Sequence, residues 1–252
     1  MDDLFSVKDK VVVITGGLGY LGVSWRGALV RQGARVAVLD VRKDDFYMDY
    51  LKAKMHLKFR YYPCDVSSDE SVDRAYNEIE NELGVPDGLV NAAAIDFPPG
   101  AKDQNVSRVF DVNLTGTIRC CFRIGREMAK KGRGSIINIG SIYGINGPDQ
   151  SLYSDGFEKP IAYSASKAGL IGVTKYLAAY WGKQNVRVNL LTLGGVYNNQ
   201  AEDFCNKYKS KVPLNRMAKN DEYDGAIQFL LSDASSYMTG ANVVIDGGYS
   251  SW

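Results

Sequence analysis

Histidine is almost missing from this chain. The 252 residues include one, His56, in the polar run KAKMHLKF. A metal centre built from several imidazoles is therefore excluded, no metal is expected, and His56 reads as a surface residue. Cysteine is scarce too. Cys64, Cys120, Cys121 and Cys205 show no CxxC spacing, and the adjacent pair is poor geometry for a bridge or a metal clamp. They read as reduced thiols in a reducing compartment. Neither sign of charge dominates, since 30 Lys+Arg face 29 Asp+Glu. That balance argues against a basic nucleic-acid footprint and against an acidic tail. No apolar run approaches the roughly 18 residues of a membrane span, and the charged opening MDDLFSVKDK lacks the apolar core of a signal peptide. A soluble, cytoplasmic protein is expected, with neither membrane nor nucleic acid as partner. Linkers, repeats and low-complexity tracts are missing as well, so one domain over residues 1–252 is expected.

What the chain does have is alternation. KVVVITG (10–16), RVAVLD (35–40), KFRYYPCDV (58–66), DGLVNAAA (87–94), GSIINIGS (134–141), VRVNLLTL (186–193) and ANVVIDGG (241–248) read as short buried strands. Helical patterns fall between them at 19–33, 42–55, 69–84, 105–131, 162–182 and 221–232. Strand–helix alternation predicts an α/β fold: a three-layer, doubly wound parallel sheet with helices on both faces. Residues 142–161 and 197–219 break the rhythm. Both follow strand ends, where open α/β sheets bind ligands, so both are candidate substrate loops.

TGGLGYLG (15–22) follows the first strand and opens a helix. Glycines at 16, 17, 19 and 22 allow a tight turn and close approach of backbone to a pyrophosphate, which the helix N-terminus attracts. Such glycines also make ordinary βα turns, but the strand–turn–helix context favours a dinucleotide. Asp40 ends the second strand, 24 positions after Gly16. Its carboxylate suits the two hydroxyls of an adenine ribose and repels a 2′-phosphate, although a solvated loop acid is the plain alternative. Arg42 and Lys43 would suit that phosphate. The reading favours NAD(H), with NADP(H) still open.

Tyr163 and Lys167 lie one helical turn apart in IAYSASKAG (161–169). Residues at i and i+4 share a helix face. A neighbouring ammonium favours the phenolate, so Tyr163 is expected to carry a lowered pKa and to exchange a proton near neutral pH. Taken alone, the pair is more simply two common residues on a helix. It is not alone. Together with the glycine turn, Asp40, CDV (64–66), NAAA (91–94), Asn113 in VNLTG, Ser141 after SIINIG, RVN (187–189) and DGG (246–248), it makes the chain resemble the short-chain dehydrogenase/reductase family over nearly its full length.

That resemblance implies a Rossmann-type domain and a reversible NAD(P)-linked oxidation of a secondary alcohol to a ketone. It implies Tyr163 as general acid/base and Lys167 as the cation that lowers its pKa and binds the nicotinamide ribose. Ser141 would hydrogen-bond the substrate oxygen, and Asn113, in mid-helix, would hold a water leading from Lys167 to solvent. It implies cofactor contacts from Gly16, Gly19, Tyr20, Leu21 and Gly22 of the turn, and from Asp65 and Val66 beside the adenine. Asn91 and Ala93 would line the adenosine side, with Gly194 and Val196 under the nicotinamide. The turn departs from the usual TGxxxGxG, with Tyr20 at the middle glycine and Gly19 one residue earlier, a spacing more typical of larger nucleotide-sugar members. NAAA carries Ala94 where the family has glycine.

The segment between Ser141 and Tyr163 is long, polar and aromatic. Tyr143, Asp149, Gln150, Tyr153 and Lys159, with Asn198, Asn199 and Gln200 of the second loop, would hydrogen-bond a polyhydroxylated ligand, so a sugar, sugar acid or sugar phosphate is expected. The plain alternative is a solvated loop or a subunit contact. The segment also resembles that of oxidoreductases among sialic-acid-like sugar and flagellin-modification enzymes. Rival readings are a 3-oxoacyl thioester (acyl-carrier-protein) reductase and a non-catalytic cofactor-binding regulator. The resemblance further implies a homo-oligomer, dimer or tetramer. Leu170, Val173, Leu177, Ala178 and Trp181 of the 162–182 helix would serve as contacts or equally as core within one chain, and the terminal Trp252 would pack at a neighbouring subunit.

Overall fold

The computed structural model describes residues 4–42, 59–97, 105–153 and 158–251. The expected helix at 42–55, the loop residue Lys43, His56 and Trp252 lie outside the described residues. Seven parallel strands form one sheet: β1 (Val11–Thr15), β2 (Arg35–Asp40), β3 (Phe59–Pro63), β4 (Gly88–Asn91), β5 (Gly134–Ser141), β6 (Val186–Leu193) and β7 (Asn242–Ile245). They stand in the order β3-β2-β1-β4-β5-β6-β7. The fold is thus the doubly wound α/β sheet of Rossmann type, and the order reverses between β1 and β4.

The described helices are α1 (Tyr20–Arg31), α2 (Asp69–Leu83), α3 (Val106–Phe110), α4 (Gly116–Lys131), α5 (Ile161–Trp181), α6 (Glu202–Lys209) and α7 (Asp224–Leu231). Alternate strand residues divide the core into two layers. Val13, Ala37, Leu89, Ile136 and Val188 meet α2, α4 and α5 on one face. Val12, Ile14, Val38, Val90 and Leu191 meet α1 and α7 on the other. The core side chains of both layers are buried, and each fully buried aliphatic side chain contributes about 1.5–3 kcal/mol.

Three differences from the sequence reading have physical causes. The helix expected at 105–131 is interrupted by a π turn, Asp111–Thr115, between α3 and α4. That extra residue turns Asn113 inward, where it is 1% exposed. Part of the loop expected at 197–219 is the helix α6, short and largely polar. On α5, Leu170, Leu177, Ala178 and Trp181 are buried in the chain's own core and do not form an outer face. The exposed apolar residues of that helix are Ile161, Tyr176 and Tyr180, and the last two rings stack with centroids 5.8 Å apart. All four cysteines are free, and burial pushes Cys121 up to about 12 and Cys64 up to about 11, which suppresses their thiolates. Among the described residues no helix is long and apolar enough to cross a membrane.

Candidate active site

Two clefts open along the carboxyl ends of the strands and meet at Ala92 and Ala94. The first, about 220 Å³, lies over the strand-order reversal and is lined by Gly16, Gly19, Asp40, Asp65, Val66 and Ala93, among others. Here β1 and β4 almost touch. Thr15 Oγ1 accepts from the amides of Ala92 and Ala93, each at 3.1 Å. Gly16 has φ +66°, and a Cβ there would stand 2.9 Å from the Ala93 backbone. Gly22 packs equally closely inside the turn, since its Cβ would meet the Cα of Gly17 at 2.6 Å. The first turn of α1 has no side-chain cap, which leaves its N–H groups and positive dipole end facing the cleft.

Asp40 is buried at the edge of this cleft. Its carboxylate accepts from the amides of Leu18 (3.0 Å) and Arg42 (3.1 Å). The Arg42 side chain folds back toward the Leu18 carbonyl at 3.4 Å. Asp65 faces the same cleft, held below the usual carboxylate range by hydrogen bonds from Ser67 and by the Arg108 guanidinium, which outweigh its burial. Arg108 also lines the cleft, a cation that local sequence spacing does not mark. This cradle of glycines, uncapped amides and a ribose-sized acid fits a dinucleotide.

Asn91 does not line either cleft. Its side chain is buried beneath the sheet, where Nδ2 donates to Asn138 Oδ1 at 2.9 Å. The reason is strand alternation: Asn91 points into the core, and only the residues after the strand reach the cleft. Tyr20 is exposed and acts across the gap, its hydroxyl donating to the Tyr197 carbonyl at 2.9 Å.

The second cleft, about 440 Å³, contains Ser141, Tyr163 and Lys167, together with Leu21, Gly194 and Val196. Ser141 ends β5, and its hydroxyl shares the cleft with Tyr163 and accepts from the Tyr143 amide at 3.1 Å. Lys167 is buried, and its Nζ donates to the Ile139 carbonyl at 2.7 Å. Nζ lies 5.8 Å from the Tyr163 ring centroid.

Asn113 stands outside this group. Its side chain accepts from the Ile95 amide (2.8 Å), and donates to the Ile95 carbonyl (3.0 Å) and to Ser166 Oγ (3.2 Å). It therefore anchors the strand-end loop that lines the cleft.

The electrostatics differ from the sequence expectation. Burial pushes Tyr163 up to about 12, the Asp96 carboxylate pushes the same way, and the Ser141 hydrogen bond opposes them. Burial pushes Lys167 down to about 8. Desolvation disfavours both charged forms, and it outweighs the attraction that the i, i+4 spacing implied. At neutral pH Tyr163 is thus a neutral phenol in this state of the protein, poised to donate.

Lys167 has a measurable signature. Its folded pKa lies below the value of about 10.4 expected in the unfolded chain, so the unfolded state binds more protons between pH 8 and 10.4. The penalty on folding is complete below pH 8 and is relieved as pH rises through that window. Lys167→Met removes it. The stability difference, variant minus wild type, is expected to shrink by about 2–3 kcal/mol from pH 7 to pH 10, at about 1.4 kcal/mol per pH unit. Urea unfolding at both pH values reads it, and a pH-independent difference would mean that Lys167 titrates normally.

Of the polar residues expected around a sugar, Tyr143, Tyr153, Lys159 and Gln200 line the cleft. Asp149 and Gln150 do not: Asp149 pairs with Lys211 at 3.1 Å, and Gln150 accepts from the Lys159 amide at 2.9 Å. Both are consumed in folding the loop. Asn198 and Asn199 are exposed to solvent. Among the lining residues that escaped the sequence reading are Asp96, two residues beyond NAAA, and Phe204 and Tyr208 on α6. An acid just past the carboxyl end of a strand was the available signal for the first. Among the described residues no group of three or more His, Cys, Asp or Glu is placed to hold a metal.

The chain is similar to known proteins over nearly its whole length. The family model described as enoyl-(acyl carrier protein) reductase matches residues 21–250. An NADH-dependent L-xylulose reductase from Ambrosiozyma monospora is 30% identical over 98% of this chain and 97% of its own. An NADP-dependent mannitol dehydrogenase from Hypocrea jecorina is 32% identical over 98% of this chain and 94% of its own. The crystal structure of a short-chain dehydrogenase from Leptospira borgpetersenii with bound NAD+ superposes with a TM-score of 0.88 at 35% identity, covering 99% of this chain and 96% of the other.

Proposed function

Since the chain belongs to the short-chain dehydrogenase/reductase family, and is an NAD(P)-dependent oxidoreductase that interconverts secondary alcohols and ketones, we propose that it acts on a sugar or its polyol, with Tyr163 as general acid/base. The observation that carries this reading is the meeting of Ser141, Tyr163 and Lys167 in one cleft that adjoins the glycine turn. The sugar and polyol names of the curated relatives supply the substrate class.

When bound, a nicotinamide dinucleotide supplies or accepts the hydride at the carbinol carbon. The chain's own residues handle the rest. In reduction, the Tyr163 phenol donates its proton to the carbonyl oxygen as that oxygen becomes an alkoxide. Ser141 donates a hydrogen bond to the same oxygen and fixes its place. In oxidation the phenolate takes the proton back from the alcohol, and the Lys167 ammonium nearby limits the cost of that phenolate. The glycine turn, Leu21, Asp40, Asp65, Val66, Ala93, Gly194 and Val196 would hold the dinucleotide.

The experiment is a turnover assay with neutral polyols and ketoses, sugar acids, sugar phosphates and acyl thioesters. The likeness of the 142–161 loop to sialic-acid-like sugar enzymes extends the acid set to that chemistry. Turnover of acyl thioesters alone would favour the 3-oxoacyl reductase reading. For oligomerisation we propose a dimer or tetramer through the exposed Tyr176–Tyr180 face of α5.

NAD(H) is the cofactor we favour, on the buried Asp40 carboxylate in the adenosine cleft. Titrations followed by nicotinamide fluorescence should show tighter NADH than NADPH binding. Asp40→Asn removes the charge and keeps an acceptor for the Leu18 amide. It is expected to cut the NADH-over-NADPH preference about tenfold or more, as like-charge contacts cost several kcal/mol. Tighter NADPH binding by the wild type would mean that Arg42 overrules Asp40.

A further inference from the structure

The substrate cleft holds three charged side chains among its lining residues: Asp96, Lys159 and Lys167. Lys167 is occupied by the Ile139 carbonyl. The other two form an ion pair with each other, and that pair roofs the reacting tyrosine. Lys159 Nζ lies 4.6 Å from the centroid of the Tyr163 ring and 5.8 Å from that of Tyr143. The pair is only partly open to solvent, with the Lys159 side chain 13% exposed and that of Asp96 33%.

It is also held from behind. The backbone of Ile95, next to Asp96, is gripped at both its amide and its carbonyl by the Asn113 side chain. The Lys159 amide donates to Gln150 Oε1 at 2.9 Å, and Pro160 then fixes the entry to α5. Two segments far apart in the chain thus present one strong acceptor and one strong donor side by side, beside the proton-transfer group.

Such a fork matches two adjacent hydroxyls. One hydroxyl donates to the Asp96 carboxylate, and its neighbour accepts from the Lys159 ammonium. Hydrogen bonds to charged groups are the stronger kind, and each contributes more than a neutral one. The opposite charges cancel, so the fork offers little attraction to an anion. A carboxylate or phosphate reaching Lys159 must also face Asp96.

We propose that Asp96 and Lys159 are substrate-positioning residues that read a vicinal diol next to the reacting carbinol, and so select neutral polyols and ketoses over sugar acids and sugar phosphates. This inference rests on the sugar reading above and narrows it.

The test is steady-state kinetics of the full chain with saturating cofactor. The substrates are a neutral pentitol, an aldonic acid and 2-butanol, a secondary alcohol without further hydroxyls. The variants are Asp96→Asn, Lys159→Gln and the double variant. The wild type is expected to prefer the pentitol. Each single variant should raise KM for the pentitol roughly tenfold or more with a smaller change in kcat, as expected when a charged hydrogen-bond partner is lost. Neither should raise KM for 2-butanol comparably, while any change in kcat that acts through Tyr163 should be common to both substrates. Asp96→Asn should also improve the aldonic acid relative to the pentitol, because Lys159 then stands alone. The double variant should lose less than the sum of the singles.

Equal rises in KM for pentitol and 2-butanol would reduce the pair to a structural brace and overturn the proposal. A wild-type preference for the aldonic acid that Lys159→Gln abolishes would overturn it in favour of an anion site. If no polyol or ketose turns over while other alcohols or thioesters do, the sugar reading itself fails and takes the fork with it. That result is distinct from pentitol turnover that ignores both variants.

Discussion

Replacing Tyr163 by phenylalanine is expected to lower kcat by about 10²–10⁴-fold, the usual contribution of a positioned general acid/base. Cofactor affinity should stay essentially unchanged. The ring is retained, so its packing under Lys159 persists, and only the hydroxyl is lost. The dinucleotide cleft over the β1–β4 reversal is lined by other residues. Parallel turnover and NADH titrations on wild type and variant separate the two effects. A variant that keeps most of its turnover would place the proton transfer elsewhere. A wild type that binds NADH yet turns over no secondary alcohol would revive the regulator reading. The wild type's pH profile adds a further check. With Tyr163 raised to about 12 by burial first and the Asp96 carboxylate second, the protonated form prevails at neutral pH. Reduction, which needs that proton, should therefore persist at neutral pH in the wild type, and oxidation should gain as pH rises.

Much of the scaffold was legible because the strands are buried on both faces. RVAVLD, GSIINIGS and VRVNLLTL are apolar runs with sharp flanks, and β2, β5 and β6 occupy the very ranges the runs predict. The last strand was read too long. It ends at Ile245, since Gly247 and Gly248 take φ +68° and +92° and turn the chain away. Helix α6 was missed because Glu202–Lys209 is short, mostly polar and carries no side-chain cap; its Phe204 and Tyr208 gain their meaning only by packing at the cleft.

The site divides in the same way. Ser141 at a strand end, and Tyr163 with Lys167 at i, i+4, are local patterns, and the fold brings them into one cleft. The Asp96–Lys159 pair is not local. Its members are 63 residues apart, and nothing in either neighbourhood announces the other. The direction of the Tyr163 shift was misread for a related reason. Spacing places a lysine nearby, whereas desolvation depends on everything that folds around the hydroxyl.

Gly16→Val is expected to weaken NADH binding about a hundredfold or more, the loss of two hydrogen bonds to charged phosphate at 1.5–3 kcal/mol each. Two separate strains produce this. The residue sits at φ +66°, a region that costs a side-chain-bearing residue roughly 1–2 kcal/mol. Its Cβ would also stand 2.9 Å from backbone atoms of Ala93, which cannot rotate aside. Overpacking of that kind adds about 1–3 kcal/mol. Relief requires β1 and β4 to part at their carboxyl ends, against the Thr15 bonds to the Ala92 and Ala93 amides. That motion displaces the turn from the cleft.

The melting temperature should fall by roughly 5–15 °C, at about 2–4 °C per kcal/mol for a domain of this size. Gly132→Ala isolates the backbone term. Gly132 caps α4 at φ +76°, and a Cβ there meets nothing within 4 Å. It should lower the melting temperature by only about 2–4 °C, from a cost near 1 kcal/mol, and leave NADH affinity alone. Calorimetry and fluorescence titration on both variants make the comparison. If Gly16→Val binds NADH as well as Gly132→Ala does, the glycine turn does not carry the cofactor's phosphates.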